Sequence, residues 1–214
     1  METVAEENEN TTFTFIDASN LFYGGELSLG WKVDYSKLAE YLKSKYRVSK
    51  IYYFGGIETH NLDFDYISND SISIEILQTH ISEILDNSQN EERKGILKKH
   101  LQTIKFYKKL ASFGYTLILK PVKTYYQNNE IVKKKANCDV DMTFYMMKEL
   151  ENFNSCIILS GDGDFLPVLK HIKSKGKEVT ILGRGKRTAK EIKQFAGSNF
   201  RDFEYLRELI KVSQ

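Results

Sequence analysis

"CIILSGDGDFLPVLKHIKSKGKEVTILG", residues 156–183, decides the fold. It opens with a short apolar run rich in β-branched residues, the mark of a buried strand. "DFLPVLKHIKSKG" follows with helical periodicity and closes on Gly176, a residue suited to the left-handed position after a helix. "EVTILG" then reads as a second strand. Strand, helix and strand in this order form one unit of a parallel sheet.

The same alternation runs outward from this unit. "FTFID" (13–17), "KIYYFGG" (50–56) and "YTLILK" (115–120) read as three further strands, which makes five in all. "DYSKLAEYLKSKY" has Asp34 as an N-cap and places Leu38, Tyr41 and Leu42 on one face. "DVDMTFYMMKELENF" is a helix leading into the strand at 156. The stretch 57–112 exceeds a single crossover and reads as a helical insertion or extension, two helices split by the polar run "NSQNEER". Strands alternating with helices and joined by right-handed crossovers predict a doubly wound α/β domain over residues 13–200. Residues 1–12, acidic and polar, read as a disordered lead, and 201–214 as a C-terminal helix packed on the domain.

Composition narrows the function classes. Lys+Arg number 31 against 29 Asp+Glu, so bulk charge does not announce a nucleic-acid binder and any basic surface must be local. Cys138 and Cys156 have no CxxC spacing, which argues against a zinc site or a disulfide framework and fits a reducing, cytoplasmic compartment. No stretch has the apolar length of a membrane span. The amino-terminal residues lack the basic start and apolar core of a secretory signal.

The chemistry gathers where strands end. In an open α/β sheet, ligands bind at the carboxyl ends of strands, where the winding reverses. "FTFIDASN" ends its strand on Asp17, with Asn20 three residues on. "CIILSGDGDF" ends just before Asp162 and Asp164, and "NCDVDMTFY" puts Asp139 and Asp141 in a first helical turn. Each motif also has a structural explanation, as an Asx-turn, a cap or a dipole partner. If the strands at 13–17 and 156–161 are neighbours, at least three carboxylates converge. Such a cluster needs a counter-charge, and oxygen ligands suit Mg²⁺ or Mn²⁺.

Other chemistries find no support. His60, His80, His100 and His171 fall on the insertion or on helices and read as packing or surface residues. Ser160 in "LSGDG" is not a nucleophile elbow and reads as a turn residue or carboxylate partner. "GRGKR" is not a P-loop, and Leu166 stands where a calcium loop needs an oxygen ligand.

"FIDASNLF", "KKANCDVDMTFYMM" and "ILSGDGDFLPVLKHIKSKGKEVTILG" together resemble the motifs of the NYN domain family, the LabA-like branch of the PIN-like nucleases. The resemblance implies a PIN-like three-layer α/β/α sandwich whose central sheet is mostly parallel. It implies a metal-dependent hydrolase that cleaves RNA at an acidic crevice holding Mg²⁺ or Mn²⁺. Asp17, Asp139, Asp162 and Asp164 match the family's catalytic acids. Asp17, Asp139 and Asp164 would be the metal ligands, with Asn20, Ser160 and Asp141 in support. Relatives often carry another acid near the position of Tyr145, a departure that Asp141 would have to cover.

Single-stranded RNA is the expected partner. In "KPVKTYYQNNEIVKKK" (120–135), Lys123, Lys133, Lys134 and Lys135 bracket Tyr125 and Tyr126, a pattern that suits phosphates and stacked bases. A lysine-edged hairpin explains the same residues. Arg184, Lys186 and Arg187 would extend the rim, or form a solvated charge run. A non-catalytic RNA-binding regulator is the alternative function. An Asp-x-Asp phosphatase ranks third, because Asp17 and Asn20 have no role in it. Homo-oligomerisation stays open.

Overall fold

A computed structural model of the chain describes residues 11–22, 29–65, 67–127 and 130–213, with the side chains of 124–127 and 130–135 outside that description. In chain order the elements are β1 (Thr12–Asp17), α1 (Tyr35–Tyr46), β2 (Val48–Ile57), α2 (Ile74–Asn87), α3 (Glu91–Ser112), β3 (Tyr115–Pro121), β4 (Lys123–Gln127), β5 (Glu130–Lys135), α4 (Asp139–Lys148), β6 (Ser155–Leu159), α5 (Leu166–Ser174), β7 (Glu178–Gly183), α6 (Lys190–Ala196), β8 (Phe200–Asp202) and α7 (Arg207–Ile210). The main sheet has the order β3-β2-β1-β6-β7-β8, and each neighbouring pair is parallel. Winding runs from β1 toward β3 on one side and from β6 toward β8 on the other. The switch point therefore lies between β1 and β6.

Pleating sorts the core into two layers, because alternate residues of a strand face opposite sides. Phe13 and Phe15 of β1 pack with Met142 and Met146 of α4, Leu169 and Ile172 of α5, and Ile192 of α6. Ile16 packs the other way, with Leu38 and Leu42 of α1, Leu77 and Ile81 of α2, and Leu97 and Ile104 of α3. The α2–α3 pair is thus a crossover that roofs one face of the sheet. Tyr107 of α3 fastens it, donating to the Gly56 carbonyl at 2.7 Å. Stacking of Phe15 on Tyr52, with centroids 5.4 Å apart, fills the opposite layer.

Local signals act as the sequence suggests. Asp34 caps α1 by accepting from the Ser36 and Lys37 amides, and Gly176 takes φ +76° after α5. The sheet has six strands where periodicity marks five. The extra one, β8, is three residues long and pairs Ile181 with Phe200 through Gly183 with Asp202. A strand that short has no alternation to read, so the length of the helical pattern around it hides it. After β8 the chain makes a 3-10 turn, Phe203–Leu206, and the single turn of α7. The Asp34 amide donates to the Ile210 carbonyl at 2.7 Å, tying this end to the start of α1. No helix among the described residues is long and apolar enough to cross a membrane.

Candidate active site

Asp17 ends β1 because its own side chain caps the turn that follows. Oδ1 accepts from the Ser19 amide at 3.0 Å, the Ser19 hydroxyl at 2.8 Å and the Asn20 amide at 3.2 Å. Three donors on one oxygen fix the carboxylate in place. Oδ2 receives one long bond, from Ser160 Oγ at 3.4 Å. At 6% exposure, Asp17 is one of the few buried acids among the described residues.

The β1–β6 register pairs Ile16 with Leu159, so Asp17 comes level with Ser160 across the switch point. One further bond joins the motifs and another braces the second of them. Asn20 Oδ1 accepts the Gly161 amide at 3.1 Å, and Ser160 Oγ accepts the Asp162 amide at 3.3 Å. Asp162 in turn caps the 3-10 turn Gly163–Phe165, accepting from the Asp164 amide at 3.0 Å. Asp164 itself is exposed. Both the capping geometry and the meeting of the two acidic motifs are therefore present.

The glycines of "SGDGD" are there for close approach. A Cβ on Gly161 would stand 2.7 Å from Thr188 Oγ1, and one on Gly163 would collide with the Glu191 carboxylate. Glu191 thereby joins this end of the site, an acid hidden in the sequence within a lysine-rich run. Lys186 and Arg187 are exposed and line an open recess together with Asn20 and Asp162.

Asp139 and Asp141 occupy the first turn of α4, in the layer that Asp17 faces. The thiol of Cys138 reports their neighbourhood. Burial, with Asp141 and Asp17 close by, pushes it up to about 12, and Asp139 adds to this while Lys120 opposes it. A thiol so protonated is neither nucleophile nor ready ligand. Asp141 is ion-paired with Lys120 at the end of β3. Tyr145, two turns into α4, donates to Asp70 Oδ2 at 3.1 Å, and Lys148 Nζ reaches the same oxygen at 3.4 Å.

The expected cage of Asp17, Asp139 and Asp164 is not closed. Among the described residues, no three His, Cys, Asp or Glu side chains stand close enough to hold an ion between them. The donors nevertheless suit a hard cation in kind, since they are carboxylates with one fixed in place. Mg²⁺ keeps waters and needs few protein ligands.

Arg184 has a different task from a rim contact. Its side chain is 7% exposed, and the guanidinium bonds Glu204 at 2.5 Å and Asp202 at 3.4 Å. It fastens the end of β7 to the end of β8 and the turn that follows. Lys123 is exposed at the start of β4. β4 and β5 form a separate antiparallel hairpin, with Lys123 opposite Lys135 and Tyr125 opposite Lys133. The side chains of Tyr125, Tyr126, Lys133, Lys134 and Lys135 lie outside the described residues. His60 Nε2 and His100 Nδ1 meet at 2.5 Å, on the far layer from Asp17.

Comparison with known proteins bears on this site. The sequence model of the NYN domain matches residues 11–204. The low amplitude and bright protein LabA of Synechococcus elongatus is 20% identical over 204 residues, covering 94% of this chain and 87% of its own. A Vibrio parahaemolyticus protein of unknown function, VPA0982, superposes with a TM-score of 0.62 at 17% identity, covering 97% of this chain and 99% of that one. That likeness shows the fold. A bacteriophage T5 protein co-crystallised with metal ions reaches a TM-score of only 0.43 at 12% identity, over 86% of this chain and 59% of that one, too remote to carry an argument.

Proposed function

Because the chain belongs to the NYN domain family, we propose that it is a divalent-metal-dependent ribonuclease of PIN-like type, with its crevice between β1 and β6. A nuclease or RNA-related role is the coarse reading that the family and the LabA likeness support. The observation that carries the finer one is the joint between the two motifs. A buried carboxylate is fixed by three donors at a switch point and bonded, through Ser160 and Asn20, to a second acidic turn. A capping role alone needs no such cross-strand bonds.

In this reading Asp17 holds the ion, Mg²⁺ or Mn²⁺, with Asp139 and Asp164 reaching it directly or through water. Asp162 keeps the turn that presents Asp164. Ser160 and Asn20 orient the ligands from behind. A bound ion would supply charge neutralisation at the phosphodiester and a water of lowered pKa. Lys186 and Arg187 grip phosphate beside Asp162, and the β4–β5 hairpin grips the single strand through Lys123, Lys133, Lys134 and Lys135, with Tyr125 and Tyr126 stacking on bases. Residues 13–200 constitute the nuclease domain. Both cysteines are free and buried, which suits a cytoplasmic location.

A second reading, an RNA-binding regulator without cleavage, draws on Tyr145, which sits on Asp70 where relatives often carry an acid. One experiment separates the readings. A labelled RNA pool is incubated with wild type and Asp164→Asn, side by side, in Mg²⁺, Mn²⁺ or EDTA. The nuclease reading expects cutting by wild type with metal alone. RNA binding without cutting favours the regulator. Hydrolysis of phosphomonoesters with RNA ignored refutes both.

A further inference from the structure

α3 carries a block of positive charge that the crevice does not use. From Arg93 to Lys109 it has seven Lys and Arg and no Asp or Glu. Its apolar side is taken by the core, where Leu97, Ile104 and Leu110 are buried. Lys98, Gln102, Lys105 and Lys109 follow at intervals of four, three and four, which puts them on one face of the helix, and all four are exposed. Among the described residues none of these three lysines is in an ion pair, whereas Lys94, one turn earlier, is paired with Glu91 at 2.7 Å. The acids of the helix pair lie apart, on α2, where Glu75, Glu83 and Asp86 border a recess with Lys108. Gly95, one turn before Lys98, faces open space, with nothing within 4 Å of where a Cβ would stand. Glycine weakens a helix interior, and no neighbour requires it here. It leaves a bare length of helix beside the lysines, against which a bulky anion can lie.

The helix also reaches the edge where the crevice opens. Tyr107 donates to the Gly56 carbonyl, and His100 meets His60 three residues after β2 ends. The nine residues before His100 therefore overhang the carboxyl edge of the sheet by about 13 Å. We propose that the lysine face of α3 is a second RNA surface, which holds a base-paired stem on the layer opposite Asp17 while a single strand leaving that stem crosses the carboxyl edge into the crevice. The proposal rests on the ribonuclease reading and names a form of RNA that it leaves open. Two features select a duplex. Lysines alone meet phosphates, and the rings that stack on unpaired bases are turned elsewhere: Phe106 packs edge-on with Tyr35 at 5.2 Å, and Tyr107 is buried. Duplex RNA is held through its shape and its phosphates, and a helix of 22 residues, about 33 Å long, offers a rigid row of charge for them. A lipid surface fits less well, because a helix that binds one keeps its apolar side for the acyl boundary, and here the core has taken that side.

The test measures binding by fluorescence anisotropy across a salt series, in EDTA to withhold the divalent ion. Probes are a blunt RNA duplex, an unstructured RNA strand of the same length and phosphatidylserine vesicles. Full-length wild type is compared with the triple variant Lys98→Gln/Lys105→Gln/Lys109→Gln. A control, Lys170→Gln/Lys173→Gln/Lys175→Gln, removes the same charge from exposed positions at α5. For the α3 variant the expectation is about tenfold weaker duplex binding at moderate salt, a salt slope shallower by about 2–3, and a smaller loss on the single strand. The α5 control should bind as wild type does. An α3 variant that binds the duplex like wild type, equal losses in the two variants, or equal losses on duplex and single strand overturns the inference. Vesicle binding in place of duplex binding also overturns it and assigns the face to lipid. Should the triple variant fail to fold, Lys105→Gln decides: a slope shallower by about 1 supports the inference, and a slope equal to wild type overturns it. Cleavage in Mn²⁺ separates the two readings. Wild type that binds the duplex through α3 yet cuts no RNA supports the surface and refutes the nuclease; wild type that cuts single strands but ignores the duplex does the reverse.

Discussion

Asn20→Ala should loosen the joint between the two acidic motifs by a measurable and bounded amount. The substitution removes the oxygen that accepts the Gly161 amide at 3.1 Å. Gly161 is buried, and Thr188 presses so closely on it that a Cβ would stand 2.7 Å from Thr188 Oγ1. A buried amide left without a partner costs about 1–3 kcal/mol. The recess that Asn20 and Gly161 share is open, however, so a water can replace part of the lost bond. The lower half of the range, about 1–2 kcal/mol, is the expectation. For a chain of this length about 1 kcal/mol shifts the midpoint by about 2–4 °C, so Asn20→Ala should melt about 2–8 °C below wild type. The assay is thermal unfolding by circular dichroism in EDTA, with Asn20→Asp as control. That variant keeps an acceptor but adds a charge beside Asp162, and should fall less than Asn20→Ala. An Asn20→Ala protein that melts with wild type refutes the claim that this bond couples the motifs.

Three other outcomes follow from named contacts. Asp164→Asn should leave the metal-free melting temperature unchanged or raise it, because the cap at this turn uses the Asp162 carboxylate and the Asp164 amide; Asp162→Ala should cost about 0.5–2 kcal/mol, and equal losses in the two would contradict the assignment. Burial pushes the Glu149 carboxyl up, but bonds from Tyr52, Asn152 and Lys50 outweigh it and hold the group below the usual carboxylate range. A depressed folded-state pKa gives stability that is present above the unfolded value and lost as pH falls through the folded one. Tyr52→Phe removes the 2.5 Å donor and brings the folded-state value up toward the unfolded one, so the variant should be less stable than wild type at neutral pH and lose less stability on acidification; coincident melting curves from neutral pH to acid would speak against this. Replacing Lys133, Lys134 and Lys135 with Ala should weaken RNA binding and flatten its salt dependence, whereas Tyr125→Ala with Tyr126→Ala should cost about 1–3 kcal/mol per lost stack at nearly constant slope. Filter binding across a salt series reads both, and identical slopes for the two variants would reject the division of labour.

What the sequence makes legible is whatever depends on neighbours along the chain. Asp17 before Asn20, Asp34 before α1, and Gly176 after α5 act within three residues, so their capping and turn roles can be read directly. The two acidic motifs could be matched because both end strands, and strand ends of a parallel sheet share one edge. Contacts between distant elements are not written locally. Lys120 finds Asp141 only because β3 lies beyond β2 and α4 crosses the mouth of the sheet. Arg184 looks solvated inside "GRGKR", yet its partners Asp202 and Glu204 stand 18 and 20 residues on, brought back by β8. Glu191 reaches Gly163 from α6, before the chain enters β8. In each case, tertiary placement rather than residue type decided whether a charge belongs to the site or to the scaffold.

The central claim is that Asp17 holds the divalent ion with which this crevice cuts RNA. Its most direct test is the cleavage rate of a labelled single-stranded RNA by wild type and by Asp17→Asn in Mn²⁺, with wild type in EDTA alongside. Asn keeps a carbonyl oxygen for the Ser19 and Asn20 amides and loses only the charge, so the fold should persist. The account predicts cleavage by wild type in Mn²⁺ alone, and none by a folded Asp17→Asn. Cutting by Asp17→Asn at the wild-type rate, or by wild type in EDTA, would contradict it.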